Sequence, residues 1–167
     1  MGATSTPPTS PHTATASARE QDFFVRLSVE LTGFSEVELL GTGVAPVYLA
    51  WLDERFADVL AELLEAWRRV QSGYPPESRE QGVRQQILAD EKLGPFARAI
   101  ILLWYTAAWY PPPGEWSAIY GGRAGDTDTV AIPGAFPESL VWRAAGAHPS
   151  AAKPTGFGTW SLPPEGA

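Results

Sequence analysis

The chain has 167 residues and a formal net charge of −7, with 12 basic and 19 acidic side chains. This length suits a single domain, and the acidic balance argues against binding to nucleic acid or to an anionic membrane surface, since both need a basic face. The absence of cysteine excludes disulfides and thiolate chemistry. The two histidines, His12 and His148, each adjoin a proline in an irregular segment, where a catalytic pair or a metal site is not expected.

The first 19 residues are rich in threonine, serine, proline and alanine. They contain neither the apolar stretch of a secretory signal nor a pair of arginines, so the sequence does not predict a signal peptide. Low hydrophobicity at a chain terminus is typical of disorder. We therefore expect residues 1–19 to be a disordered leader.

Residues 20–110 are predicted to form a helical domain. Its first helix should span residues 20–32, because apolar side chains recur there at helical spacing and Gly33 is a natural stop. The apolar stripe consists of Phe23, Phe24, Leu27 and Leu31.

A short helix and a long one are expected next. Ser35, followed three residues later by Glu38, has the pattern of a capping box that starts a helix. The sequence Gly41-Thr42-Gly43 that follows lacks the third glycine, the lysine and the preceding strand of a phosphate-binding loop. It therefore indicates a corner between helices. A long amphipathic helix should then span residues 45–70, with Pro46 tolerated in its first turn.

Two further helices are predicted at residues 77–90 and 93–109. The first is mostly polar and should be weakened by Gly82. The second is apolar nearly all round, which is typical of a helix buried on several sides. A domain of about four helices cannot easily cover such a helix, so we expect the rest of the chain or a partner to cover part of it.

Residues 111–167 form a long tail that is rich in proline, glycine and aromatic residues and has almost no periodicity. Short pieces of structure are expected in it: a helical turn at 115–120, an extended piece at 129–132 and a turn or two of helix at 136–142. The predicted fold is therefore mainly α, a small bundle of about four helices followed by an irregular tail. A segment this long and irregular should pack on the helices, on a partner subunit or on both.

No set of residues in the sequence assembles a catalytic, cofactor or metal site. Asp126 and Asp128 lack the frame of a calcium loop and are better explained by a surface turn. Glu138, Ser139 and His148 lack the strand–turn–helix motif that a hydrolase nucleophile needs. We therefore expect this chain not to be an enzyme and to hold no cofactor itself.

The tryptophans are the strongest candidates for a binding role. Tryptophan supplies a large share of the binding energy at protein interfaces, although a helix packed in a core would also explain several of them. The predicted partner-binding anchors are Trp104, Trp109, Trp116, Trp142 and Trp160.

Three segments of the chain resemble the small subunits of FAD-dependent sorbitol, fructose and glucose dehydrogenases. The first is Leu31-Thr32-Gly33-Phe34 with Leu39-Leu40-Gly41-Thr42-Gly43. The second is Ile100-Ile101-Leu102-Leu103-Trp104-Tyr105. The third runs from Ala135-Phe136-Pro137-Glu138-Ser139-Leu140-Val141-Trp142 to Lys153-Pro154 and Trp160.

The resemblance implies a non-catalytic subunit that binds and stabilises a large catalytic subunit of the glucose–methanol–choline type. The FAD and the reaction would belong to that partner, in a 1:1 complex, and a haem-bearing subunit often takes the electrons in such assemblies. Many members of the family carry a twin-arginine signal, which this chain lacks. We therefore expect a cytoplasmic complex, the alternative being a periplasmic one exported with a signal-bearing partner.

Other functions remain open on the sequence alone. The chain also fits the small subunit of a gluconate-type dehydrogenase, which likewise pairs with a flavin subunit. A third hypothesis is a free-standing helical module that holds a carbohydrate on its aromatic side chains. An independent enzyme is the least favoured, because no catalytic site is found.

Overall fold

The computed structural model describes residues 11–112, 114–120, 129–147 and 149, with side chains from Ala18 onward. These residues form mainly α-helices, which confirms the predicted fold class. The predicted turns at 121–128, His148 and residues 150–167 lie outside the described residues, as do residues 1–10 of the expected leader.

The first helix, α1, spans Pro11–Thr32. It ends where the sequence predicts, and Gly33 follows it with φ of 77°, a conformation that glycine adopts at little cost. It begins nine residues earlier than expected, so the helix extends into the segment that we predicted to be a disordered leader. Of the predicted apolar stripe, Phe24 and Leu27 are fully covered, Leu31 is buried and Phe23 is partly buried.

The short helix α2 spans Glu36–Gly41 and has the predicted capping box. The backbone N–H of Glu38 donates to Oγ of Ser35, while the N–H and hydroxyl of Ser35 donate to Oε2 of Glu38 at 2.9 and 2.6 Å. The long helix α3 follows at Ala45–Gly73, with proline in its first turn as expected. One feature of α3 was not predicted: Phe56 has non-helical backbone angles (φ −135°, ψ 33°) and interrupts the helix.

The third predicted helix is divided among three helical types: a 3₁₀ turn at Pro76–Ser78, α4 at Arg79–Val83 and a π-helical turn at Arg84–Leu88. Glycine at position 82 has a packing reason. A Cβ atom at Gly82 would lie 2.8 Å from side-chain atoms of both Tyr74 and Val70, so only glycine lets α4 approach the end of α3 this closely.

The apolar helix α5 spans Leu93–Thr106, three residues shorter than predicted. Asp90 caps its start, because Oδ1 accepts hydrogen bonds from the backbone N–H groups of Lys92 and Leu93 at 2.9 and 2.7 Å. The helix ends at Ala107, which has the left-handed φ of 57°.

The chain after α5 folds back onto the helices. Strand β1, Ala108–Trp109, pairs antiparallel with β2, Val130–Ala131. Helix α6 spans Trp116–Tyr120, a 3₁₀ turn spans Phe136–Glu138 and α7 spans Leu140–Ala144. These pieces confirm the short elements predicted in the described part of the tail.

The core lies between α1, α3 and α5, which contact one another pairwise. Helix α5 also contacts β1 and α7. Two groups of rings fill the interior. Trp104 packs against Phe24 and Tyr48, with ring centroids 6.3 and 5.1 Å away. The second group surrounds the interruption in α3 and consists of Trp51, Phe56, Phe96, Trp109 and Trp116.

Candidate partner interface

The described surface exposes several large apolar side chains, which is the property most often associated with an interaction site. Single exposed apolar residues are ordinary on a protein surface, so their arrangement decides whether they matter. The set consists of Val37, Leu40, Val47, Leu102, Tyr110, Ile119, Phe136 and Val141.

Five of these residues belong to three neighbouring elements: α2, the first turn of α3 and the segment of the 3₁₀ turn and α7. The Arg143 side chain of α7 reaches α2, because its Nη2 is 4.0 Å from the position of a Cβ atom at Gly41 and its charge acts on Glu38. The charge of Glu138, the last residue of the 3₁₀ turn, also acts on Tyr48 in the first turn of α3. We call the exposed set on these elements the α2–α7 surface: Val37, Leu40, Val47, Phe136 and Val141.

Trp142, which packs against Phe136 of the α2–α7 surface, has its polar group satisfied within the chain. Phe136 and Trp142 form an edge-to-face ring pair with centroids 5.2 Å apart. The indole Nε1 of the half-buried Trp142 donates to the backbone oxygen of Phe136 at 3.0 Å. A partner that covers this ring pair therefore removes apolar area from water without stranding the indole donor.

Charged groups lie at the edge of the surface. Hydrogen bonds from the side chain and backbone of Ser35 lower the pKa of Glu38, and the charge of Arg143 adds to this effect. Burial raises the pKa of the Tyr48 phenol, and the negative charge of Glu138 raises it further. Charged side chains thus occur on the same elements as the exposed apolar set, as they do in protein interfaces.

Three of the predicted partner anchors lie in the core of this chain instead of on a partner-facing surface. Trp104, Trp109 and Trp116 are only 0%, 1% and 5% exposed. The reason is that α1, α3 and the folded-back segments after Ala107 cover them from several sides. Trp142 is the predicted anchor that the structure places at the surface, and Trp160 lies outside the described residues.

Sequence reasoning missed the apolar residues of α2 as candidates for an interface. A signal was present, because Val37 and Leu40 are three residues apart and so share one side of a helix. In a helix of only six residues, the side that carries Val37 and Leu40 and the side that carries Leu39 cannot both face the core. The structure buries Leu39 and leaves Val37 79% exposed.

No three or more His, Asp or Glu side chains in the described ranges are grouped so that they could hold a metal ion. A surface depression of about 360 Å³ is lined mainly by charged residues, of which Lys92 and Glu62 form an ion pair of 2.6 Å. No helix among the described residues is long and apolar enough to cross a membrane.

Comparisons with known proteins supply no relative for this chain. No family model matches it, and neither a curated protein nor a solved structure shows significant similarity to it. The case for a function therefore depends on the residues and on their arrangement.

Proposed function

We propose that the chain is a non-catalytic small subunit that binds and stabilises a flavin-dependent sugar or polyol dehydrogenase of the glucose–methanol–choline type. The partner would carry the FAD and the reaction, in a 1:1 complex, and a haem-bearing subunit would accept the electrons. The observation that carries the proposal is the α2–α7 surface, a set of exposed apolar side chains on α2, α3, the 3₁₀ turn and α7.

The placement of the resembling segments supports this proposal. The segment at the end of α1 and the Trp-Tyr pair of α5 meet directly, since the hydroxyl of Tyr105 donates to the backbone oxygen of Thr32 at 3.1 Å. The rings of Phe34 and Tyr105 also pack edge to face, 6.0 Å apart. The third segment contains α7, which lies beside α2.

Described parts of the three resembling segments therefore approach one another, and two of the segments contribute Leu40, Phe136 and Val141 to the α2–α7 surface. Residues that are distant in sequence and converge on one exposed apolar area are what a shared binding surface requires. A role in catalysis would instead call for converging polar and titratable groups.

Co-expression tests the proposal. The proposal requires a flavin oxidoreductase gene beside this one. The full chain is produced together with that gene's product, and the complex is isolated by size-exclusion chromatography with mass measurement. We expect a 1:1 complex in which the flavin subunit is more stable than it is alone. Turnover with sorbitol, fructose, glucose and gluconate then assigns the substrate and separates the sugar dehydrogenase proposal from a gluconate-type complex.

Substitutions on the α2–α7 surface locate the interface. Val37→Asp and Val141→Asp each place an unpaired charge in it, and we expect each to weaken binding about 30-fold or more, which corresponds to about 2 kcal/mol. Ile119→Asp is the matched control, because Ile119 is 63% exposed on α6 and lies outside this surface.

The folded state of each variant is checked by thermal unfolding, because an exposed substitution should leave stability almost unchanged. If all three variants bind the flavin subunit as tightly as the unmodified chain does, the α2–α7 surface is not the interface. A chain that forms no complex with the flavin subunit would contradict the proposed function itself.

A further inference from the structure

The chain leaves α7 through a defined turn. Gly146 has a left-handed φ of 62°, and its backbone N–H donates to the oxygen of Arg143 at 3.1 Å. The backbone N–H of Ala147 donates to the oxygen of Trp142 at 2.8 Å. These two hydrogen bonds form a Schellman motif, which ends a helix through a left-handed residue. The chain after Ala147 therefore does not continue along the axis of α7.

Pro149 shows that the chain then returns to the body of the protein. The residues at 143–147 are exposed, whereas Pro149 is buried. It lies five residues beyond the end of α7 at Ala144, and so within about 18 Å of it even at full extension. Residues 150–167 therefore continue from a covered point close to the α2–α7 surface, which includes Val141 of α7.

The sequence of residues 150–167 suits a segment that lies on an apolar surface. Phe157, Trp160 and Leu162 occur in it at short intervals, separated by glycine, serine and threonine. Trp160 is eleven residues beyond Pro149, which gives it a reach of up to about 36 Å. Helices α2 and α7 contain six and five residues and together measure about 17 Å. The reach is therefore long enough to span both.

Charge favours the same placement. The acidic residues Glu36 and Glu38 of α2 and Glu138 of the 3₁₀ turn outnumber Arg143, the basic residue of α7. Lys153 is the basic residue of 150–167, so the segment and the surface attract each other. Such an attraction orients a segment more than it adds affinity.

A second apolar groove competes for this segment. Its volume is about 130 Å³, and it lies between α5 and the chain that follows β1, with Leu102, Tyr110 and Pro112 in its lining. The charged residue of that lining is Arg98, which repels Lys153. The α2–α7 surface is therefore the better match for residues 150–167.

We propose that residues 150–167 cover the α2–α7 surface in the free chain, with Phe157 and Trp160 packed on its apolar side chains. A short tether holds its end at a millimolar effective concentration, so even a weak contact forms within one chain. The cover itself does not rest on the proposed function. Its consequence does: the flavin subunit must displace residues 150–167 to reach Val37 and Val141.

The absence of cysteine allows a direct test in the full chain. Ser161→Cys introduces one thiol, which takes a nitroxide spin label beside Trp160. The label broadens the methyl NMR signals of residues near it, and the reduced, non-magnetic label gives the reference. We expect strong broadening at Leu40 and Val141 and little at Ile119.

Ile119 is a suitable control because its helix, α6, and the helix α2 approach opposite ends of α5. Trp116 of α6 donates to the backbone oxygen of Lys92, just before α5. Tyr105, near the end of α5, donates to the oxygen of Thr32, four residues before α2. About 20 Å of chain in helical geometry separates Lys92 from Tyr105.

Variants of the labelled chain test the contact from both sides. Trp160→Ser removes an anchor, and Val37→Asp places a charge beneath the segment. Each should lower the equilibrium constant for the covered state about 30-fold, so that most of the broadening at Leu40 and Val141 disappears. Ile119→Asp is the matched control and should leave the broadening unchanged. Thermal unfolding checks that each variant is folded.

Three results would overturn the proposal. No broadening at Leu40 and Val141 would show that the surface is uncovered in the free chain. Strongest broadening at Leu102 would place the segment in the second groove. Broadening that persists between a spin-labelled chain without isotopes and a separate isotope-labelled chain would assign the cover to a second copy. A chain that shows the expected broadening but forms no complex with the flavin subunit would support this proposal and contradict the proposed function alone.

Discussion

The indole Nε1 of Trp104 donates a 3.0 Å hydrogen bond to Oγ of Ser28, and both side chains are completely buried. The hydroxyl of Ser28 donates its own proton to the backbone oxygen of Phe24 at 2.8 Å, which leaves its lone pairs free to accept from the indole. This contact joins α5 to α1 in the middle of the core. It explains how a tryptophan can lie there with its polar atom satisfied.

Ser28→Ala should destabilise the chain by about 1–3 kcal/mol, because it leaves the buried N–H of Trp104 without an acceptor. The measurement is urea unfolding followed by circular dichroism. Ser72→Ala is the control, since the Ser72 hydroxyl also donates to backbone oxygens of its own helix but is exposed. Equal losses in the two variants would mean that the link between Trp104 and Ser28 contributes nothing specific.

Gly94→Ala should destabilise the chain although alanine favours helices over glycine by about 1 kcal/mol. A Cβ atom at Gly94 would lie 2.6 Å from the backbone oxygen of Leu88, and this oxygen cannot move independently of the chain. We expect a net loss of about 1–3 kcal/mol, as is usual for overpacking. The comparison is Gly73→Ala at the end of α3, where no atom lies within 4 Å and the same change should be neutral or stabilising. Thermal unfolding gives the sign of both effects, and a stabilised Gly94→Ala would contradict the close approach.

The capping box of α2 should make stability depend on pH through Glu38. Hydrogen bonds from Ser35 lower the pKa of Glu38 in the folded chain below its ordinary value of 4.5. The folded state then holds fewer protons on this group than the unfolded state near that pH, so the stabilisation is present above 4.5 and is lost as the pH falls through the folded pKa.

Ser35→Ala should raise the pKa of Glu38 toward its ordinary value, as measured by NMR titration of the side-chain carboxyl carbon. The difference in melting temperature between the unmodified chain and Glu38→Gln should be largest at neutral pH and should shrink below pH of about 4.5. Glu36→Gln in the same turn controls for the general effect of a charge near the helix N-terminus. A Glu38 titration that does not respond to Ser35→Ala would disprove the coupling.

Trp116 and Trp142 should differ in what they stabilise. Trp116 stacks on Phe96 with centroids 5.8 Å apart, and its Nε1 donates to the backbone oxygen of Lys92 at 2.8 Å. Trp116→Ala should therefore cost about 3–5 kcal/mol of folding stability. The Trp142 side chain is half-buried, so Trp142→Ala should cost less than half of that folding stability. It should instead weaken binding to the partner subunit. Chemical unfolding of both variants and binding of the flavin subunit separate the two roles; a larger stability loss in Trp142→Ala would reverse the assignment.

Much of the helical architecture could be predicted because its signals are local. The capping box at Ser35 and the stop at Gly33 each involve residues within a few positions of one another, and both occur as predicted. Proline in the first turn of α3 and the apolar stripe of α1 are signals of the same kind. Such patterns act through the backbone of their own segment, so no knowledge of the rest of the chain is needed.

The end of α5 shows where local information fails. The apolar run continues through Trp109, which predicts a longer helix, but the helix ends at Thr106 and the chain reverses through Ala107. The backbone N–H of Ile132 donates to the oxygen of Ala107 at 2.9 Å, and β2 pairs with β1. Apolar residues suit a buried strand as well as a buried helix, so the contact with a segment more than twenty residues away decided between them.

The amino-acid sequence by itself determined the helical class, most element positions and the lack of a recognisable catalytic motif, because periodicity, caps and composition act within a short stretch of chain. Only the tertiary structure decided which apolar side chains are covered and which face outward. Trp104, Trp109 and Trp116 are covered by helices distant in sequence, whereas Val37 and Val141 remain at the surface. The exposure of a side chain depends on what packs over it, and that is fixed by contacts between segments that no local pattern records.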